Sequence, residues 1–229
     1  MDYRFKTEPY EHQLHALGAS HNKENFALFM EMGTGKSKVL VDNIAMLYDK
    51  GKINAALIIA PKGVYRNWER QEIPTHMPEH IVHNIVTWSP STTKKQQKEN
   101  VKLFKHGDQL TIFLMNIEAF STKKGLDIAQ RFLLAHQTLM AIDESTTIKS
   151  PTARRTKNVL KLRNYAKYRR ILTGSPVTKS PLDLYTQCYF LDPHYLDFSS
   201  YYTFRNRYAS MVDRNVGSHS FKLVTGYVR

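Results

Sequence analysis

The feature that most constrains this chain is a short glycine-rich segment near its amino terminus, Glu31-Met32-Gly33-Thr34-Gly35-Lys36-Ser37. An apolar run, residues 26–30, precedes it, and a helical spacing of apolar residues from Val39 onward follows it. A strand, a glycine loop, a Lys-Ser pair and a helix in this order are typical of a phosphate-binding loop. The longer form of the motif has one more glycine, five residues before Gly35, where this chain has Met30. The alternative interpretation is a glycine-rich turn that caps a helix.

Each residue type in this loop has a chemical reason for its place. Gly33 and Gly35 lack a Cβ, so the N–H groups of the loop, including that of Thr34, can turn inward around an anion. The helix that starts near Lys36 directs its positive dipole end at the same point. Lys36 can then reach the β- and γ-phosphates of a nucleotide, and Ser37 can hold Mg²⁺ through its hydroxyl.

Composition limits the classes of protein to which the chain can belong. Its 229 residues have room for one large domain, or for one domain with an extension. The single cysteine, Cys188, excludes an internal disulfide framework, and we expect a buried, inert thiol in a reducing compartment. No stretch is apolar and long enough to span a bilayer, and no secretory signal is present, so we expect a cytoplasmic or nuclear location.

The charge of the chain is strongly unbalanced. Its formal net charge is +13, with an isoelectric point near 9.7. This balance favours a polyanionic partner, most simply nucleic acid. The alternative is a generally basic, soluble surface without a specific partner.

Short apolar runs alternate with helical patterns along most of the chain. The runs are rich in Ile, Leu, Val and Phe, as expected for strands covered on both faces: 26–30, 55–60, 81–88, 111–117, 138–142 and 170–172. After a first short helix that ends near Gly18, the helical patterns cover residues 37–50, 64–72, 92–106, 126–136, 152–165 and 181–191. The alternation predicts an α/β fold with a mostly parallel sheet and helices on both faces. Ligands of such sheets bind at the carboxyl ends of the strands.

An acidic pair, Asp143-Glu144, follows the fifth apolar run. Next to a phosphate loop, Asp143 would hold Mg²⁺ through water, and Glu144 would orient and deprotonate an attacking water molecule. The alternative is a solvated helix cap after a strand, where Asp and Glu are common.

Several segments together resemble the first motor domain of superfamily-2 helicases, and most closely the SWI/SNF-type translocases on double-stranded DNA. Five matches occur in the order and spacing of that family: Glu31–Ser37, Leu57–Pro61 with Asn67-Trp68, Asp143–Ser150, Leu172–Pro176, and Pro181–Tyr185 with Phe190–Pro193. The resemblance implies a RecA-like P-loop NTPase domain that uses ATP and Mg²⁺. It also implies that Gln13 reads the adenine base and that Thr173 and Ser175 couple the γ-phosphate to the nucleic-acid side.

The resemblance also points to residues that contact a nucleic-acid backbone. Pro61, Lys62 and Asn116 lie where members of the family touch a strand. A basic segment after the acidic pair would add phosphate contacts that are independent of sequence and sensitive to salt. It has no intervening acidic residue and contains Lys149, Arg154, Arg155, Lys157, Lys161, Arg163, Lys167, Arg169 and Arg170. The alternative is a solvated helix face.

This chain departs from the family pattern at two places. Thr146 stands where the family has a histidine, which puts coupling through that side chain in doubt. Lys179 replaces an asparagine after Pro176. Neither change removes a ligand of the nucleotide.

From Pro193 onward the pattern changes to a stretch rich in aromatic residues. We therefore divide the chain into an ATP-binding domain, residues 1–192, and a carboxyl-terminal extension, residues 193–229. The extension is either a helical appendage or the start of a connection to a second motor domain, which superfamily-2 motors require and which we expect in the full-length chain.

The sequence thus predicts the ATP-binding half of a DNA-dependent ATPase that translocates on double-stranded DNA and hydrolyses ATP weakly in isolation. Alternatives from the same motifs are a strand-separating helicase acting on DNA or RNA and a non-catalytic module that binds nucleic acid. A P-loop kinase is disfavoured by the Asp-Glu pair and by the segment Thr173–Pro176.

Overall fold

A parallel β-sheet forms the centre of the molecule in the computed structural model, which describes residues 3–91, 93–105, 107–216 and 219–228. Six strands lie in the order β1-β6-β5-β2-β4-β3, and every neighbouring pair is parallel. The α/β prediction is therefore confirmed. The strands are β1 (Asn25–Phe29), β2 (Ala55–Ala60), β3 (His83–Thr87), β4 (Leu110–Asn116), β5 (Thr138–Asp143) and β6 (Tyr168–Thr173).

Helices cover both faces of this sheet. One face carries the helices near the amino terminus, α1 (Glu11–Ser20), α2 (Lys36–Asp49), α3 (Tyr65–Asn67) and α4 (Ile73–His76). The other carries α6 (Lys123–Ala135), α7 (Arg154–Leu162) and α8 (Leu184–Leu191). The helix α5 (Lys94–Lys102) packs beside β3 at the edge. No helix of the described residues combines the length and the apolar character that crossing a membrane requires.

The central strands explain why the apolar runs were recognisable. All residues of β2 are buried, and successive side chains point to opposite faces. Ala56 and Ile58 join the core under α2, whereas Leu57 and Ile59 join the core under α6 and α7. A strand between two cores needs apolar residues at every position, so it appears as a continuous apolar run.

The sheet order brings three strand ends together at one edge. β6 lies between β1 and β5, with Phe29 paired to Thr173 and Asp143 paired to Leu172. The glycine-rich loop after β1, the acidic pair after β5 and the turn after β6 are therefore neighbours. This arrangement depends on parallel crossovers between strands that are far apart in sequence.

Some predicted boundaries were wrong. The first helix does not end near Gly18 but continues to Ser20, because the buried Leu17 and Ser20 hold its last turn against the core. The helix predicted over 64–72 runs from Tyr65 to His76 and contains a π-helical turn, Trp68–Glu72, in which the Ile73 N–H donates to the Trp68 carbonyl. Pro74 follows this turn and has no N–H to donate.

Other boundaries moved by a few residues at helix ends. α6 begins at Lys123 rather than at 126, because the Thr122 side chain accepts from the Gly125 N–H. The pattern over 152–165 is α7 followed by a 3₁₀ turn, Arg163–Tyr165, and the pattern over 181–191 is a 3₁₀ turn, Pro181–Asp183, followed by α8. The ends of the pattern over 92–106 lie outside the described residues.

The extension after residue 192 has both helical and extended parts. It forms α9 (Tyr201–Tyr208) and an antiparallel hairpin of β7 (Ala209–Val216) and β8 (His219–Tyr227). Its aromatic side chains pack with Leu182 and Tyr185 in a small third core, which includes Phe198, Phe204 and Tyr208. The aromatic residues therefore attach the extension to the region around α8.

Candidate active site

The glycine-rich loop has the conformation that its sequence predicts. Gly33 and Gly35 have positive φ angles of 77° and 79°, which residues with a Cβ rarely adopt. Gly35 is also the residue immediately before α2. A Cβ at this position would lie 2.3 Å from Nε2 of Gln13, so any other residue would displace the Gln13 amide from the loop.

Lys36 and Thr34 contact the backbone of the loop itself. The Lys36 Nζ donates to the carbonyl oxygens of Met30, at 3.0 Å, and Glu31, at 2.9 Å. The Thr34 hydroxyl donates to the same Glu31 carbonyl at 2.7 Å. The ammonium group is thus held beside the carbonyls of Met30 and Glu31, where a polyphosphate on the loop would meet both its charge and the amino-terminal end of α2.

Gln13 is buried against this loop and not exposed on its helix. Its Nε2 donates to the Thr34 carbonyl at 3.0 Å, and its Oε1 accepts from the Tyr10 N–H at 3.0 Å. The amide is therefore oriented by two fixed partners beside the predicted nucleotide position. The Lys38 Nζ lies 5.2 Å from the centroid of the Phe5 ring, and Phe5 packs against the core under α2.

Asp143, the last residue of β5, faces the start of α2. Its Oδ2 accepts a hydrogen bond of 3.0 Å from the indole N–H of the buried Trp68. Burial raises the pKa of Asp143, as does the charge of Glu144, whereas the Trp68 hydrogen bond and the charge of Lys36 oppose the rise. A cation bound beside Asp143 would therefore stabilise the ionised form of its carboxylate.

A second carboxylate at this place, Glu72, was not identified from the sequence. It ends the π-helical turn and interacts with both the Ser37 hydroxyl and the charge of Asp143. Burial raises the pKa of Glu72, the Ser37 hydrogen bond acts against the rise, and the charge of Asp143 adds to it. The adjoining Asn67-Trp68 pair was recognised as part of a family motif. A π turn contains one extra residue and so changes which side chain faces the loop. The spacing of residues in the sequence does not show this change.

The donors at this edge suit Mg²⁺. They are hard oxygen atoms of the Ser37 hydroxyl and of the Asp143 and Glu72 carboxylates, the ligands that this cation prefers. No group of three or more His, Cys, Asp and Glu side chains forms a preformed metal cage among the described residues.

Glu144 has an unusual backbone and a well-defined side chain. Its φ of 52° and ψ of 64° put a non-glycine residue in the left-handed region, a strain that is typical of functional sites. Its Oε1 accepts from the Thr173 hydroxyl at 2.8 Å and from the Thr146 hydroxyl at 3.1 Å. The Ser175 N–H donates to the Thr173 hydroxyl at 3.1 Å, so both predicted coupling residues contact the network of Glu144.

A buried glutamine connects the two turns that flank Glu144. The Gln187 Oε1 accepts from the Ser145 hydroxyl at 2.6 Å, and its Nε2 donates to the Pro176 carbonyl at 2.8 Å. The turn after β5 and the turn after β6 are thereby held together by α8. Gln187 was not predicted, because its sequence neighbours on α8 are those of an ordinary helix.

The predicted nucleic-acid residues fall into two groups. Pro61, Lys62 and Asn116 lie at the carboxyl ends of β2 and β4, and Lys62 and Asn116 line a cleft of about 280 Å³ with Trp88 and Glu118. The Asn116 amide donates to the Glu118 carboxylate at 2.9 Å. This group is separate from the acidic pair but shares its edge of the sheet.

The basic segment after the acidic pair is divided between buried and exposed side chains, so only some of its members could meet a phosphate. Arg163 and Arg170 are buried and donate to backbone carbonyls, as does Arg169. Lys149 contacts the Thr178 hydroxyl and lies 3.5 Å from the Asp183 carboxylate. The exposed basic side chains of the segment are Arg154, Lys157, Lys161 and Lys167.

Comparison with known proteins gives a consistent family of relatives. The SNF2-related domain family matches residues 12–223. The chromatin-remodeling ATPase INO80 of Schizosaccharomyces pombe is 28% identical over 200 residues, which cover 86% of this chain and 12% of that protein. Chromodomain-helicase-DNA-binding protein 6 of Mus musculus is 26% identical over 198 residues, which cover 84% of this chain and 7% of that protein.

A solved structure shares the fold. The Sulfolobus solfataricus SWI2/SNF2 ATPase core in complex with double-stranded DNA aligns with a TM-score of 0.69 and 22% identity, over 91% of this chain and 40% of that one. The chain therefore spans about a tenth of the length of the curated relatives and under half of this structure.

Proposed function

The chain belongs to the family of SNF2-related domains, and from this premise we propose that residues 1–192 are the ATP-binding half of a DNA-dependent ATPase. In this proposal the motor translocates on double-stranded DNA. Residues 193–229 then lead towards a second motor domain of the full-length protein. A cytoplasmic or nuclear location belongs to the same proposal.

One observation carries the proposal. Two pairs that are far apart in sequence, Lys36-Ser37 and Asp143-Glu144, meet at one edge of the sheet. The loop supplies N–H groups and one lysine for a polyphosphate, and the strand end supplies carboxylates. These two halves are what phosphoryl transfer to water needs.

The residues divide the work as follows. Gln13 holds the adenine base next to the loop, Lys36 bears the charge of the β- and γ-phosphates, and Gly33, Thr34 and Gly35 supply backbone donors. Glu144 accepts a proton from the attacking water, whose oxygen bonds to the γ-phosphorus as the bond to ADP breaks. Mg²⁺, when bound by Ser37 and Asp143, neutralises phosphate charge.

Nucleic acid enters the proposal through charge and position. The cleft with Pro61, Lys62 and Asn116 would touch the DNA backbone, and the exposed Arg154 and the neighbouring Lys149 would add charge at a second place. Phosphate contacts of this kind are independent of sequence, so binding would weaken steeply with salt. Thr173 and Ser175 would connect this side to Glu144.

The experiment compares Lys36→Ala and Glu144→Gln with wild type and with Lys52→Ala, which removes an exposed lysine in the turn that follows α2. A fluorescent ATP analogue, titrated with and without Mg²⁺, reports binding, and single-turnover cleavage of labelled ATP reports hydrolysis. We expect Lys36→Ala to lose binding and Glu144→Gln to keep binding but lose cleavage. Wild-type cleavage should be slow, because an arginine supplied by a partner domain is worth about 10³–10⁵ in rate.

Anisotropy of labelled double-stranded DNA tests the second half of the proposal. Affinity should fall with salt and should change between ATP-bound and nucleotide-free protein. Binding of ATP and DNA with no effect on each other, and no cleavage above the Lys36→Ala variant, would instead describe a non-catalytic module and would overturn the proposal.

A further inference from the structure

Two hydroxyl groups from different turns converge on one oxygen of Glu144. Thr173, at the end of β6, donates to Oε1 at 2.8 Å, and Thr146, in the 3₁₀ turn Ser145–Ile148, donates to the same Oε1 at 3.1 Å. Both bonds lie within the normal range for a hydroxyl and a carboxylate. Neither hydroxyl contacts the other oxygen, Oε2, among the described contacts.

The direction of these hydrogen bonds follows from their surroundings. The backbone N–H of Ser175 donates to the Thr173 hydroxyl at 3.1 Å and occupies its acceptor side, so that hydroxyl has its proton to give to Glu144. An ionised carboxylate only accepts, so the Thr146 hydroxyl must be the donor in its contact as well.

We propose that Thr146 is a positioning residue that, together with Thr173, occupies Oε1 of Glu144 and leaves Oε2 as the oxygen that receives the proton of the attacking water. The inference rests on the proposed ATP hydrolysis. In the step, a water O–H bond breaks and its proton moves to Oε2. The water oxygen bonds to the γ-phosphorus, and the electron pair of the broken bond between the phosphorus and the bridging oxygen leaves with ADP.

The need for two anchors comes from the residue itself. A glutamate side chain rotates about three bonds, and a single hydrogen bond to one oxygen still permits the carboxylate plane to turn. The two donors come from elements that Gln187 holds together, through Ser145 on one side and Pro176 on the other. Oε1 is thereby held by two donors from different turns, and a general base is most effective when its free oxygen is positioned beside the water.

The chain provides a matched control one residue away. Thr147 lies in the same turn and is half-buried, but its hydroxyl has no hydrogen-bond partner among the described residues. Thr146→Val and Thr147→Val therefore make the same chemical change, with and without loss of a contact to Glu144. Thr146→Ser keeps the hydroxyl and should therefore keep the hydrogen bond to Glu144.

The test measures single-turnover cleavage of ATP by the whole 229-residue chain at saturating protein, together with the protein concentration that gives half of the maximal rate. For Thr146→Val we expect the maximal rate to fall about tenfold, a part of the roughly 10²–10⁴-fold that a general base supplies. The half-saturating concentration and the affinity for a fluorescent ATP analogue should stay unchanged. Thr146→Ser should recover most of the rate, and Thr147→Val should match wild type.

Three outcomes decide against the inference. Equal rates for Thr146→Val and Thr147→Val would overturn it, provided that Lys36→Ala and Glu144→Gln abolish cleavage and so uphold the proposed function. A Thr146→Val variant that loses affinity for the analogue along with rate would assign Thr146 to binding or folding instead. If Lys36→Ala and Glu144→Gln cleave as fast as wild type, the proposed function fails and the inference fails with it.

Discussion

The indole N–H of Trp68 donates a 3.0 Å hydrogen bond to the carboxylate of Asp143, although 75 residues separate them in the chain. Trp68 is only 1% exposed and begins the π-helical turn that ends at Glu72. The bond therefore connects two parts of the proposed metal site: the turn that carries Glu72 and the strand end that carries Asp143. It also opposes the rise in the pKa of Asp143 that burial causes.

Replacing Trp68 with phenylalanine should weaken the metal site without emptying the core. Phenylalanine keeps most of the buried apolar surface but cannot donate to Asp143, and one such bond contributes about 0.5–1.5 kcal/mol. We expect the affinity for Mg·ATP to fall several-fold, while affinity for ATP measured in EDTA changes little. Trp88→Phe is the control, since Trp88 belongs to the core on the other face of the sheet. A similar loss in both variants would show that packing, and not the hydrogen bond, matters.

Gly35→Ala should abolish nucleotide binding. The new Cβ would lie 2.3 Å from Nε2 of Gln13, and alanine disfavours the φ of 79°. Gly18→Ala is a suitable control because no atom lies within 4 Å of its added Cβ and the residue lies inside α1. Alanine there should stabilise the helix by roughly 0.5–1 kcal/mol and leave affinity for the analogue unchanged. Normal binding by Gly35→Ala would show that the loop can rearrange freely.

Arg170→Lys should destabilise the fold although it keeps the charge. The guanidinium is 0% exposed and donates to the carbonyls of Ser20, Lys23 and Glu24 and to the side chain of Asn43. Burial lowers the pKa of Arg170 to about 10. A lysine reaches only some of these acceptors, and each buried acceptor left unpaired costs about 1–3 kcal/mol.

Chemical denaturation checks this prediction. We expect a loss of at least about 2 kcal/mol in the free energy of unfolding for Arg170→Lys. Arg154→Lys, a change at an exposed position of α7, should stay within about 0.5 kcal/mol of wild type. Equal stability of the two variants would contradict a role for the buried guanidinium in holding α1 to β6.

His76 should make stability fall in mild acid. Its Nδ1 lies 2.7 Å from the Thr7 hydroxyl, and burial, followed by the charge of Lys38, lowers the pKa of His76. Below the ordinary histidine pKa of about 6.5 the unfolded chain binds the proton more readily than the folded chain, so stability decreases as the pH falls. Above about pH 6.5 the contribution of His76 to the free energy of unfolding is fully present.

Urea denaturation at pH 7.5 and pH 5.5 separates this effect from other titrations. His76→Asn should lose less stability between the two pH values than wild type, whereas His15→Asn, at an exposed position of α1, should lose as much as wild type. The same loss of stability in His76→Asn and in wild type would show that protonation of His76 is not linked to unfolding.

The sequence predicted the class of the fold and the conformation of the glycine-rich loop for clear physical reasons. Strands between two cores are apolar at every position, as in β2, and the positive φ of Gly33 and Gly35 requires glycine. Boundaries were less accurate, because they depend on single hydrogen bonds such as that from the Gly125 N–H to the Thr122 hydroxyl. Which members of the basic segment are exposed could not be predicted, because charge in a sequence does not distinguish exposed lysines from buried arginines that donate to carbonyls.

The chain by itself determined the local chemistry: a loop that can surround a phosphate, a Lys-Ser pair and an acidic pair after a strand. Only the tertiary structure decided what meets this chemistry, namely that Glu72 joins Ser37 and Asp143 and that Thr146 shares an oxygen of Glu144 with Thr173. The reason is that local conformation follows from residue type and spacing, whereas contacts between distant segments depend on strand order and on the exact turn of each helix.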